Sequence, residues 1–125
     1  MLDFELDISK QRSNAMKLDH AIFEIHADFC GVLANSTRIM IMWLLADGEK
    51  SVTELAEALD HSIPNISQHL RIMRDKGAVL TRKEGHSVYY RISNPKFMQG
   101  YKLIREGILE QHNLGVEELS ASQET

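Results

Sequence analysis

The sequence is poor in the features that mark secreted or membrane-spanning chains. It has one cysteine, two prolines and 6% aromatic residues among 125 residues. A lone cysteine cannot form an intramolecular disulfide, which excludes the disulfide framework of small secreted domains. No uninterrupted apolar stretch reaches the length of about 18 residues needed to span a bilayer, and no secretory signal pattern is present. We therefore expect a cytoplasmic protein.

Patterns that carry catalysis are also missing. The chain has no glycine-rich phosphate loop, no paired-carboxylate motif and no serine or cysteine beside an evident base. Its six histidines are scattered without the short spacing of metal ligands. The sequence therefore predicts no enzymatic activity, no cofactor and no histidine-based metal site.

Positive charge is concentrated in one short segment. The formal net charge is −4, which argues against a protein that coats nucleic acid by bulk attraction. Residues 62–91 nevertheless carry four more positive than negative charges, because six Lys and Arg stand against Asp75 and Glu84. Such a basic patch between acidic flanks is suited to contact the phosphates of DNA.

The hydrophobic pattern predicts one mainly helical domain. Apolar residues recur every three or four positions from Leu18 to Leu33, and residues 39–45 are apolar nearly all round. An amphipathic helix is therefore expected before a central core helix, which Asn35 or Ser36 would cap. Residues 1–14 are expected to be a flexible arm or a cloning remnant, residues 15–114 the domain, and residues 115–125 a disordered tail.

Two short helices joined by a tight turn are predicted next. Ser51 and Glu54 form a capping box for the first helix. Ser62 caps the second, which Gly77 terminates. Period-two alternation around Gly85 then predicts a hairpin, and a last helix follows with Phe97, Tyr101, Ile104 and Ile108 on one face. This α-α-α-α-β-β-α order, mainly α with a small β-hairpin wing, is that of a winged helix-turn-helix.

The helix that begins after Ser62 divides into two faces. With Ile66 inward, Ile63, Leu70 and Met73 fall on the same side and are predicted to anchor it to the core. The other side carries amide and guanidinium groups that can pair with adenine and guanine edges in the major groove. An ordinary solvated polar face is the alternative. The candidate DNA-binding residues on this helix are Ser62, Pro64, Asn65, Ser67, Gln68, His69 and Arg71, of which His69 either braces the helix or contacts phosphate.

The hairpin offers further candidate contacts. Arg82 and Lys83 are favoured to reach the DNA backbone or the adjacent minor groove as a wing. His86 and Arg91 are as readily expected to point away from DNA as toward it, because strand side chains alternate between the two faces of a sheet.

Several stretches together resemble the ArsR/SmtB family of bacterial regulators, named for arsenical-resistance repressors. They are Leu33–Ile39, Val52–Ala56, Ser62–Leu70 and Val88–Ile92. The resemblance spans residues 29–108. It implies a homodimeric repressor that pairs through its first and last helices, binds double-stranded DNA at a pseudo-palindromic operator and is released by an inducer.

The inducing signal is left open. Many family members bind a metal or metalloid through paired cysteines at positions that here are Ser51 and Thr53, whose hydroxyls are poor ligands for soft metals. A second family site uses Asp and His on the last helix, where this chain offers Glu106, Glu110 and His112. For Cys30 a buried, inert cysteine is the favoured interpretation, and a thiol or metal sensor is the alternative. A winged-helix module that binds protein instead of DNA is the alternative from another class.

Overall fold

The computed structural model describes residues 20–113. The predicted arm, the predicted tail and the domain limits at residues 15 and 114 lie outside this range. Within residues 20–113, no helix combines the length and apolar character needed to cross a membrane. The elements are α1 (His20–Val32), α2 (Ser36–Leu45), β1 (Lys50–Ser51), α3 (Val52–Leu59), α4 (Ile63–Asp75), β2 (Val79–Glu84), β3 (Ser87–Ile92) and α5 (Pro95–Gln111). This order confirms the predicted winged helix-turn-helix.

Four side chains cap the helices from α2 to α5 and set where each of these four begins. Asn35, rather than Ser36, is the N-cap of α2, and its side chain accepts a hydrogen bond from the Arg38 N–H. Ser51 and Ser62 cap α3 and α4 as predicted, and Asn94 caps α5. Because each cap satisfies a backbone N–H that the helix itself leaves unpaired, the chain enters α4 in a defined direction.

The turn between α3 and α4 is tight. Asp60 ends α3 in the left-handed conformation with φ of +54°, and the His61 N–H donates to the Ala56 carbonyl at 3.0 Å. Ser62, two residues after Asp60, is already the N-cap of the next helix. This connection fixes α4 beside α3 and forms the helix-turn-helix.

The sheet contains one strand that the sequence pattern did not predict. The strand order is β1-β3-β2 with antiparallel pairing throughout, and β1 contributes only Lys50 and Ser51, opposite Tyr90 and Tyr89. Two residues are too few to produce a recognisable alternation. β1 nevertheless anchors the start of α3 to the hairpin.

The core lies where α2, α3 and α4 meet the base of the hairpin. Ile41 and Met42 of α2 are fully buried, as expected for the central helix. On α4, Ile66, Leu70 and Met73 have no exposed surface, which confirms three of the four predicted anchors. Burying these side chains supplies the main favourable free energy that holds α4 to the domain.

The prediction that Ile63 is a fourth anchor is wrong, because its side chain is 47% exposed. The helical period places Ile63 on the same side as Ile66, but Ile63 is the first residue of α4. Side chains on a helix tilt toward its N-terminus. That of the first residue therefore projects past the end of the helix instead of down onto the core.

Candidate nucleic-acid interface

The outer face of α4 is polar and open to solvent. Pro64, Ser67, Gln68 and Arg71 are exposed, whereas the opposite side of the helix is buried. The Ser62 hydroxyl accepts a hydrogen bond from the Asn65 N–H at 3.3 Å and holds the first turn in place. This arrangement presents amide and guanidinium groups on a rigid helix, which is what reading base edges requires.

Asn65 is half-buried and bonded to the preceding turn. Its Nδ2 lies 2.9 Å from Nδ1 of His61. A side-chain amide has two N–H donors and a carbonyl acceptor, so this bond uses one donor and leaves the other groups available. Asn65 therefore enters any DNA contact with its side chain already oriented.

His69 is joined to the domain by a hydrogen bond from Arg38. The Arg38 Nε–H donates to His69 Nδ1 at 3.2 Å, and Arg38 Nη1 donates to the Val32 carbonyl at 2.8 Å. Burial, the Arg38 charge and His61 hold the pKa of His69 below its ordinary value. These contacts link the end of α1, α2 and α4 and favour the bracing role for His69 over phosphate contact.

The lowered pKa of His69, caused first by burial and then by the Arg38 charge, predicts a pH dependence of stability. Because the pKa of His69 is lowered from 6.5 on folding, the unfolded chain binds more protons between that lowered pKa and pH 6.5. The free energy of unfolding should therefore rise with pH across this window, with the full contribution present above about pH 6.5 and lost as the pH falls through the lowered pKa. Urea denaturation between about pH 5 and pH 8 measures it.

His69→Gln should flatten this pH dependence. His86→Gln is the matched control, since His86 is an exposed histidine in the hairpin turn, and this variant should behave as wild type. An unchanged slope in His69→Gln would contradict the assignment of the effect to His69.

Arg82 is held by carboxylates within the domain. Its guanidinium contacts Glu49 at 2.6 Å and Glu84 at 2.8 Å and lies 4.9 Å from the centre of the Tyr89 ring. These hydrogen bonds raise the pKa of Arg82, and the Arg82 bond lowers that of Glu49. A DNA phosphate would have to compete with Glu49 for this side chain.

The four predicted wing residues do not share one face. Arg82 stands opposite Tyr89 and Arg91 opposite Leu80. Because side chains alternate along a strand, Arg82 and Arg91 lie on one face of the hairpin and Lys83 on the other, with His86 in the turn. Lys83, His86 and Arg91 are exposed.

Cys30 is exposed, so the expectation that this cysteine is buried is wrong. Phe29, one position earlier, takes the inward place and packs on Phe97 with ring centroids 4.4 Å apart. Cys30 therefore falls beside the α1–α5 contact, in the wall of a cavity of about 330 Å³. The other lining residues are His26, Phe29, Leu33, Lys96, Phe97, Gly100, Tyr101 and Ile104. Burial and the neighbouring Cys30 raise the pKa of Tyr101 to about 12.

The positions considered for metal sites are spread over the surface. Ser51 caps α3 and Thr53 is exposed in its first turn. Glu106, Glu110 and His112 are exposed at the end of α5. Among residues 20–113, no three His, Cys, Asp or Glu side chains are arranged to hold a metal ion.

Large exposed apolar side chains gather on the first and last helices. In α1 they are Ile22, Phe23 and Ile25, and in α5 they are Leu103, Ile104 and Ile108, each at least 53% exposed. The predicted stripe of α1 thus packs on the core only through its C-terminal half. Several large apolar side chains exposed on two helices are typical of a site of protein association.

A family model described as "Bacterial regulatory protein, arsR family" matches residues 35–79, which run from the α2 cap to the first residue of β2. The transcriptional regulator KmtR of Mycobacterium tuberculosis is 43% identical over 68 residues, covering 54% of this chain and 52% of that protein. The first curated relatives are matched over only about half of their length.

Two further relatives are matched over most of their length. A transcriptional repressor SmtB homolog of Synechocystis is 31% identical over 103 residues, 82% of this chain and 76% of that protein. Among solved structures, Mb0332 of Mycobacterium bovis is described as a homodimeric winged helix-turn-helix DNA-binding domain. It is 30% identical, has a TM-score of 0.67, and is matched over 76% of this chain and 91% of that one.

Proposed function

Because this chain belongs to the ArsR/SmtB family of bacterial transcriptional regulators, we propose that it is a cytoplasmic, sequence-specific DNA-binding repressor. One observation carries the proposal. The helix α4 buries Ile66 and Leu70 while exposing Ser67, Gln68 and Arg71 on its outer face. In this proposal Gln68 pairs with an adenine edge, Arg71 with a guanine edge or phosphate, and Ser67 with a phosphate or base.

The repressor acts as a homodimer that pairs through α1 and α5. The exposed apolar residues of these helices support this choice, because the described part of the chain offers them no cover. A two-fold axis would set the two α4 helices about 34 Å apart, one helical turn of DNA, on a pseudo-palindromic operator.

The hairpin supplies phosphate or minor-groove contacts. Lys83, His86 and Arg91 are exposed and available for them. Arg82 can contact a phosphate only after its ion pair with Glu49 breaks. Its net contribution to the binding free energy is therefore smaller than that of Lys83.

The salt dependence of binding tests this proposal. The operator is isolated by selection from a random duplex pool with wild-type protein, and its affinity is measured by fluorescence anisotropy at rising salt. The logarithm of the binding constant should fall linearly with the logarithm of salt, by about 0.9 per neutralised phosphate. Lys83→Ala should reduce the slope by about one per subunit. Binding that ignores salt and sequence would instead favour a protein-interaction module.

A second candidate function adds thiol sensing through Cys30. The observation that favours it is the exposure of Cys30 in the wall of a cavity between α1 and α5. Oxidation of a thiol there would place a polar group among apolar side chains at the proposed dimer contact. Operator release would follow from the altered helix packing.

Treatment with hydrogen peroxide should then weaken operator binding by wild type. Cys30→Ser should bind the operator as tightly as the untreated wild type and ignore the oxidant, because serine keeps the shape and lacks the redox chemistry. The same titration with zinc or arsenite tests metal sensing. A wild-type protein that ignores all three, or a Cys30→Ser variant that still responds, would eliminate Cys30 as the sensor.

A further inference from the structure

Ile63 is an apolar residue at the N-terminal end of α4, the end of the helix that would enter the major groove of DNA. It is the first residue of the helix and is 47% exposed. It does not belong to the hydrophobic residues buried in the core or packed against it. Its exposed apolar surface therefore adds nothing to the core of the described domain.

The position of Ile63 relates it to the candidate DNA contacts. Residues four apart on a helix lie in one row along its surface. Ile63, Ser67 and Arg71 form such a row, and all three are exposed. Ile63 occupies its N-terminal end, and the N-terminal residues of a recognition helix are those that reach base edges.

Thymine is the base whose major-groove edge suits this side chain. Its C5-methyl group is the apolar feature of that edge, and apolar side chains read it by direct contact. Isoleucine is β-branched, so few rotamers are lost when it docks. The Ser62 cap also fixes the backbone from which it projects.

We propose that Ile63 contacts the C5-methyl group of one thymine in each operator half-site and so selects thymine at that base pair. This inference rests on the proposed DNA-reading role of α4. Ile63 acts by excluding water from the methyl group, while Gln68 and Arg71 supply the hydrogen bonds that Ile63 cannot make.

Deoxyuridine substitution tests the contact at the level of one methyl group. Each thymine of the operator half-site is replaced in turn, symmetrically in both halves, and affinities are measured by anisotropy with wild-type protein. Uracil keeps the hydrogen-bonding groups of thymine and lacks only the methyl. One position should lose about fourfold per half-site, the effect of burying one methyl group.

Ile63→Ala should bind the thymine operator more weakly by a similar factor and show no further loss at that position. Ile63→Val should retain part of the response. Leu80→Ala is the matched control, since Leu80 is also an exposed hydrophobic residue, 41% accessible, but lies on β2. It should respond to deoxyuridine as wild type does.

Three outcomes separate the possibilities. A flat deoxyuridine scan with wild-type protein that still prefers its operator overturns the Ile63 contact but leaves DNA reading by α4 intact. Undiminished sensitivity of Ile63→Ala at the same thymine assigns the methyl to another residue and also overturns it. A wild-type protein that does not distinguish its operator from other duplexes contradicts the proposed function itself.

Discussion

Replacing Ile104 by glutamate is expected to convert the protein to a monomer and to lower its affinity for the operator by about 10²- to 10⁴-fold. Ile104 is 61% exposed and lies on α5 four residues before Ile108, in the apolar surface proposed to pair two subunits. A carboxylate there would have to be desolvated on dimerisation and, if it met its symmetry mate, would be repelled. Loss of the dimer would then separate the two half-site contacts.

Sedimentation velocity measures the oligomeric state, and anisotropy measures operator binding. Gln99→Glu is the control, because it adds the same charge to an exposed position of α5 outside the apolar group. It should remain dimeric and bind normally. A dimeric Ile104→Glu variant with full affinity would show that the subunits pair elsewhere.

Replacing Leu70 by alanine is expected to lower the free energy of unfolding by about 2–5 kcal/mol. Leu70 is fully buried on the inner face of α4, so truncation removes apolar contacts and leaves a cavity in close-packed surroundings. Since most single domains have a stability of only about 5–15 kcal/mol, this loss should be readily detected.

Urea denaturation at a fixed protein concentration measures the change, because dimer stability depends on concentration. Gln68→Ala, on the exposed side of the same helix, should stay within about 0.5 kcal/mol of wild type. A Leu70→Ala variant with unchanged stability would mean that α4 is not anchored through this face.

Helix starts were predictable from the sequence because the interactions that define them are local. Ser51 and Ser62 each bond to a backbone N–H three residues ahead. Such contacts are encoded by neighbouring residues and need no tertiary structure. The buried face of α4 followed for a similar reason, since Ile66, Leu70 and Met73 repeat with the helical period.

The remaining features depend on contacts between distant parts of the chain. Arg82 and Glu49 are 33 residues apart, and Arg38 and His69 are 31 apart, so no local pattern reveals that these pairs meet. The two-residue strand β1 exists only because β3 lies beside it. Ile63 was misplaced because helical periodicity gives a direction around the axis but not where the core ends.

The Arg38–His69 link bears on how a signal could reach the DNA. Arg38 connects the end of α1 to α4 through the Val32 carbonyl and His69. Cys30 and its cavity lie close to that end of α1, since Leu33 lines the cavity. A change at the cavity could therefore be passed to α4 through Arg38 and His69. If sensing uses this connection, His69→Gln should weaken the effect of the signal on operator binding.

The most direct test of the DNA-reading role of α4 is the ratio of affinities for the operator and for a scrambled duplex of equal composition. Wild type should prefer the operator by about 10³-fold or more. Gln68→Ala should lose about 5- to 150-fold of that preference per half-site, because a paired contact to a base contributes about 1–3 kcal/mol of discrimination. Lys83→Ala should weaken both duplexes alike. An unchanged ratio in Gln68→Ala would contradict the reading role assigned to this helix.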